Sequence, residues 1–231
     1  MENRFNWLKA ELENLADPAY LKFHSRLVPG TSLSYGIQIP KLRKLAKEIL
    51  KQDNPHEFLA VENTDSYEET IIKALVIAGL KTGFFEKLVY IENFLPSIDN
   101  WAVCDTFCTA IRISPKEESE VLQYILPLFS DTRTYYARFA IVMFLAHFTK
   151  EGFISAGLSE LLSVKSEEYY VQMAAAWAVS VCFVKDREST ISFLAARQLP
   201  KFTQNKSIQK IRESLRVSPE DKKMVLAYKI D

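Results

Sequence analysis

Trp101 and Asp105 stand four residues apart in the run Trp101-Ala102-Val103-Cys104-Asp105. On a helix that spacing puts an indole and a carboxylate on one face, one turn apart. A carboxylate stabilises positive charge, and an indole face attracts cations through its quadrupole. Further along the chain lie Arg138 and a second tryptophan, Trp177. An aromatic–carboxylate–aromatic cleft flanked by an arginine suits a cationic, partly apolar ligand, and the guanidinium suits a phosphate held in two-pronged fashion. A plainer reading uses the same residues: Trp101 and Trp177 as core aromatics, Asp105–Arg138 as an ion pair between packed helices. Position alone leaves both readings open.

The elements that would position these residues follow from a register. Tyr67, Trp101, Tyr135 and Tyr169 are each 34 residues apart, and each opens a strongly apolar segment. A fixed period of that length is the mark of stacked two-helix repeats. A fifth, more polar segment starts in the same register at Thr203, as a terminal capping repeat should. More amphipathic segments lie between, beginning near Phe84, Lys116, Glu151 and Glu188, with Ser114-Pro115 and Asp186 as helix starts. No strand-type alternation occurs, and six glycines leave little for hairpins. The tetratricopeptide pattern of the same length is missing from all four windows. The expected fold is therefore all-α: a curved solenoid of HEAT-like helix pairs, an α-α superhelix. It is expected as a single domain over residues 1–231, with an N-terminal capping region at 1–50 and a C-terminal cap at 203–231. A polar last repeat predicts a monomer.

Counted from each opener as zero, position +3 reads Thr70, Cys104, Arg138, Gln172 and Lys206, and position +11 reads Ala78, Arg112, Ala146, Ser180 and Ser214. With +7 between them these form one small-to-polar line, read as the concave surface. The register thus predicts Trp101, Asp105, Arg138 and Trp177 as neighbours. The basic residues on or beside that line, Arg112, Arg138, Lys206 and Lys210, are candidate phosphate contacts. Lys41, Arg43, Lys44 and Lys47 could add to them, although charge runs are more often solvated faces.

Composition narrows the classes. Lysine plus arginine equals aspartate plus glutamate, so the formal charge is zero. The balance hides an uneven distribution. Residues 41–51 carry five basic residues against Glu48, and from Asp186 onward ten basic residues face six acidic ones, a net of +4. A basic face on a neutral protein still binds phosphates. Cys104, Cys108 and Cys182 sit in apolar segments and read as reduced, buried thiols. His24, His56 and His147 show no ligand spacing with them, so no metal is expected. The N-terminus lacks the long apolar core of a secretory signal, and no apolar run approaches a membrane span. A cytoplasmic protein is expected.

Four segments resemble the AlkD-like DNA alkylation repair family: SYGIQIPKLRKLAKEI, IDNWAVCDTFCTAI, TYYARFAIVMFLAHF and EYYVQMAAAWAVSVCFVK. The likeness covers essentially the whole chain. Its most specific parts are Gly36-Ile37-Gln38-Ile39-Pro40, Trp101 to Asp105, and Tyr136-Ala137-Arg138-Phe139-Ala140. That family comprises HEAT-like repeat proteins, including bacterial 3-methyladenine and 7-methylguanine DNA glycosylases. The resemblance implies a catalytic aspartate at Asp105, indoles facing the lesion's sugar at Trp101 and Trp177, and a phosphate-contacting arginine at Arg138. It implies duplex DNA as partner, no small-molecule cofactor, and excision without swinging the base into a pocket.

The chain departs from the active pattern at two places. Pro29-Gly30, followed by Thr31-Ser32, should break the early helix that lies against DNA at the lesion, leaving Tyr20 and Phe23 a short helix at most. Val181 stands where the active branch is expected to carry a basic residue. Two functions remain from the sequence: an N3/N7-alkylpurine DNA glycosylase, or a catalytically silent HEAT-like binder of bent or branched DNA. A protein–protein scaffold is a third.

Overall fold

The structure is a computed structural model that describes residues 6–28, 31, 34–60 and 66–231. Pro29, Gly30 and Ser32, on which the expected helix break rests, lie outside the described residues. Among the described residues all regular structure is helical, and the chain is all-α. It forms two compact units, Met1–Ser114 and Pro115–Asp231.

The first unit contains α1 (Asn6–Leu15), α2 (Pro18–His24), α3 (Ile39–Leu50), α4 (His56–Leu59), α5 (Tyr67–Gly79), α6 (Phe84–Phe94) and α7 (Trp101–Ala110). Helix α5 packs on α3 and α7 packs on α5, so successive repeats bury one another's apolar faces. Within it Phe94 and Phe107 meet edge to face, with ring centroids 5.0 Å apart. The starts of α5 and α7 follow from capping: Ser66 Oγ accepts the Glu69 N–H, and Asn100 Oδ1 accepts the Val103 N–H at 3.0 Å.

The second unit contains α8 (Glu118–Ile125), α9 (Thr134–His147), α10 (Ile154–Glu160), α11 (Tyr169–Lys185), α12 (Arg187–Ala195), α13 (Lys201–Glu213) and α14 (Pro219–Met224). Helix α11 is its centre, packed against both α9 and α13. The run Ala174-Ala175-Ala176 is fully buried there, and small side chains let neighbouring helices approach. Asp186 caps α12 as expected, accepting the Ser189 N–H at 3.1 Å. Helix α8 instead begins at Glu118, beyond the expected Ser114-Pro115 cap, because residues 115–117 form a turn first. Helix α13 begins at Lys201, where Pro200 is the N-cap, slightly ahead of Thr203.

The loop before α3 is built around one carboxylate. Glu68, on the first turn of α5, is fully buried. Its Oε1 accepts the Gly36 N–H at 2.7 Å and the Tyr35 N–H at 3.2 Å, with longer contacts from Ser34 and Ile37. Four successive N–H groups converging on an anion form a nest. Gly36 sits at φ +70°, and a Cβ there would meet the Asp17 carbonyl oxygen at 2.5 Å and Leu21 Cβ at 2.6 Å. The Gly36-Ile37-Gln38 motif is thereby the joint that seats α2. Gly36→Ala should cost at least about 2 kcal/mol, from left-handed backbone strain plus collision with α2. A urea-unfolding midpoint reads it.

Candidate DNA-interaction residues

Trp101 opens α7, and Asp105 follows one turn later; both are half-buried, while Val103, Cys104, Phe107 and Cys108 are fully buried. At about 100° per residue Cys108 lies within about 20° of Trp101, so the indole borders the buried face, while Asp105 lies beside it toward the open side with Thr106 and Thr109. The Asn100 cap fixes the turn that carries Trp101. The indole Nε1–H donates to the Leu27 carbonyl oxygen at 3.0 Å, tying the chain just after α2 to the head of α7. That carbonyl belongs to the turn after the last α2 residue, so the contact fixes both the indole plane and the end of α2.

Helix α2 is short, as the sequence predicts, and includes Tyr20 and Phe23. Asp17 caps it by accepting the Ala19 and Tyr20 N–H groups. Phe23 and Leu27 are 57% and 48% exposed, an apolar edge at the end of the chain segment that holds Trp101. On the inner side His24 is buried between Tyr20 and Tyr67, with ring centroids at 5.3 and 5.4 Å. Its Nδ1 bonds the Tyr20 hydroxyl at 3.1 Å, while Nε2 and the Tyr67 hydroxyl are buried without a hydrogen-bond partner.

Burial lowers the His24 pKa, with the Glu68 charge opposing, and burial raises that of Tyr67. A histidine whose folded pKa is lowered contributes stability that is present above its unfolded value, about 6.5, and is lost as pH falls through the folded value. The seating of α2 should accordingly loosen below about pH 6.5. Hydrogen exchange of residues 18–28 between pH 8 and 5 checks this: protection falls in the wild type, and the fall is absent in His24→Phe.

In the second unit three of the expected phosphate contacts come together. Arg138 on α9 is 5% exposed, and its Nη1 donates to the Tyr170 carbonyl oxygen at 2.6 Å, at the start of α11. Lys206 and Lys210 are one turn apart on α13, both half-buried. Burial lowers the Lys210 pKa; Glu213 opposes, and the nearby charges of Lys206 and Arg138 lower it further. Lys206 and Arg138 thus lie near enough to Lys210 to weigh on its charge. Lys206 also donates to Gln209 at 2.8 Å and lies over the Phe202 ring. Trp177 is half-buried on α11, two turns beyond Tyr170. Arg112 belongs to the first unit, exposed just past the end of α7.

The +3/+11 line is not a continuous exposed stripe. Cys104, Arg138, Ala78 and Ser180 are buried, at 0%, 5%, 2% and 8% exposure. Steps of four residues advance about 400° around a helix with 3.6 residues per turn, so the line drifts by about 40° each time. On helices covered nearly all round, that drift carries it into the core. Glu68, Asp17 and Leu27 escaped the sequence reading. The only signal was an acid, Glu68, directly after the aromatic opener of an apolar helix, where a first-turn carboxylate is ordinary.

The three cysteines are buried and form no disulfide, and burial pushes the Cys182 thiol up to about 12. Among the described residues no helix is long and apolar enough to cross a membrane, and no group of three His, Cys, Asp or Glu side chains could hold a metal ion.

Residues 8–211 match the DNA alkylation repair enzyme family, and the protein is a member of it. No curated protein matches the sequence. Family membership gives the chain a role in DNA repair, as its motifs lead one to expect.

Proposed function

We propose that the protein hydrolyses the N-glycosidic bond of N3- or N7-alkylated purines in duplex DNA, with Asp105 as the catalytic residue. The observation that carries this reading is the Trp101–Asp105 pair on the half-exposed face of α7 in a chain of this family. Alkylation leaves the purine positively charged, so it departs without a strong general acid. As the bond breaks its electron pair neutralises the base, and positive charge passes to the deoxyribose. The Asp105 carboxylate stabilises that oxocarbenium character and orients a water molecule, as carboxylates do in sugar hydrolysis. Water bonds to C1′ and loses a proton, leaving an abasic site and a neutral base. Trp101 offers its ring face to the same charge. Trp177 is assigned the second indole, and Arg138, Arg112, Lys206 and Lys210 the phosphates.

The seven-residue length of α2 favours a second reading, binding of DNA without excision. One experiment separates them. Methylated duplex DNA is incubated with the protein, and released bases are resolved by chromatography. Free 3-methyladenine or 7-methylguanine supports the enzyme; intact bases with duplex binding retained support the binder.

A further inference from the structure

The first unit holds a cavity of about 550 Å³ at the ends of three helices. Leu50, Gly79 and Ala110, the last residues of α3, α5 and α7, line it. So do five cations: Arg43, Lys47, Lys81, Lys87 and Arg112, with no carboxylate among the described lining residues. In a chain of zero formal charge, such a concentration requires a reason. Neutralising helix C-termini supplies part of it. Lys87, 2% exposed, donates its ammonium to the Ala78 carbonyl oxygen in the last turn of α5. Yet three helix ends at roughly −0.5 each amount to about −1.5, under a third of the cationic charge. Arg43, Lys47, Lys81 and Arg112 are exposed and form no ion pair among the described residues.

We infer that this cavity is a phosphate-binding site, separate from the Trp101–Asp105 pair and able to hold more than one phosphate group. Its volume suits a ligand of nucleotide size. Both features lie on α7, Trp101 at its start and Ala110 at its end. The helix rises about 1.5 Å per residue, so they are separated by roughly 14 Å along its axis. One DNA strand advances about 3.4 Å per nucleotide. For a strand running along α7, a phosphodiester in the cavity would lie about four nucleotides from a base at Trp101. That placement rests on the DNA reading of Asp105; the cavity's affinity for phosphate does not. The ligand is either backbone phosphate from the bound duplex or a free nucleotide.

The test uses the full chain and a variant, Arg43→Gln/Lys47→Gln/Lys81→Gln, with all three substitutions on exposed side chains. A control variant loses the same charge elsewhere, by Lys165→Gln/Lys185→Gln/Arg216→Gln. Retained helicity by circular dichroism confirms that both fold. Duplex binding is measured against salt concentration, and each phosphate contact contributes about 0.9 to the log–log slope. The expected result is a slope reduced by roughly 2–3 in the cavity variant and unchanged in the control. In parallel, inorganic pyrophosphate is added to each protein. If it raises the melting temperature of wild type but not of the cavity variant while DNA slopes stay equal, the site is real and its ligand is free. Equal slopes together with no pyrophosphate effect overturn the inference. If wild type binds no duplex, the glycosylase reading fails by itself and the pyrophosphate arm decides the cavity.

Discussion

Glu68→Ala lowers the melting temperature of the first unit by roughly 12–20 °C, for a loss of about 3–5 kcal/mol. The size follows from what the carboxylate does. It is fully buried and is the shared acceptor for the N–H groups of Ser34, Tyr35, Gly36 and Ile37. Alanine leaves the buried Gly36 and Ile37 N–H groups without that acceptor, at about 1–3 kcal/mol for each orphaned donor, while the exposed Ser34 and half-buried Tyr35 are partly repaid by water. The two contacts at 3.4 Å are weak, so the total stays below four full penalties. Glu68→Gln retains one carbonyl oxygen and should recover about half of the loss. The effect reaches the candidate site as well. The nest seats Gly36 against α2, and the turn after α2 accepts the Trp101 indole N–H. Calorimetry reads the stability change, and protection of the Trp101 indole proton reads the unseating. An alanine variant with wild-type stability would show that the nest is not what holds this loop.

Asp105→Asn slows release of alkylated bases by about two to three orders of magnitude and leaves duplex affinity within a few-fold. A unit charge about 4 Å from the sugar, at an effective dielectric near 20, interacts by about 4 kcal/mol. Each 1.36 kcal/mol is a factor of about ten in rate. The amide's dipole recovers part of this, which places the expectation below the full three orders. Asparagine is nearly isosteric, so Trp101 and the α7 backbone keep their places. Single-turnover kinetics at saturating protein separate the chemical step from binding. A variant that loses affinity but not rate would make Asp105 a structural residue, the plainer reading its position also allows.

How much of this was legible in the sequence depended on the kind of contact. The 34-residue register located α5, α7 and α11 at their first residues, because an aromatic opener followed by an apolar run marks a helix buried nearly all round. Helix α9 begins one residue ahead of Tyr135. The pairing of Trp101 with Asp105 was also legible, being a local consequence of helical spacing. Contacts between elements were not. Glu68 reads as an ordinary first-turn acid beside Glu69; its bonds to residues 34–37 span more than thirty positions, and no periodicity reports them. Gly36 was visible as part of a family motif, but its reason is a left-handed φ and the closeness of α2. The drifting +3/+11 line misled for a simpler cause: steps of four residues do not follow a helix face for long.

The cavity at the ends of α3, α5 and α7 illustrates the same limit. In the sequence Arg112 is a candidate phosphate contact that Arg43 and Lys47 could join, if their run is more than a solvated face, and Lys81 carries no signal. Only the packing of α3, α5 and α7 brings them to one cavity.

The central claim, excision through Asp105, is tested most directly on one substrate: a duplex oligonucleotide with a single 7-methylguanine, followed under single-turnover conditions by strand scission at the abasic site. The account predicts scission above the spontaneous rate with wild-type protein, and a rate at least about a hundredfold lower with Asp105→Asn. Spontaneous-rate scission with wild-type protein bound to the duplex would contradict it, as would equal rates for the two proteins.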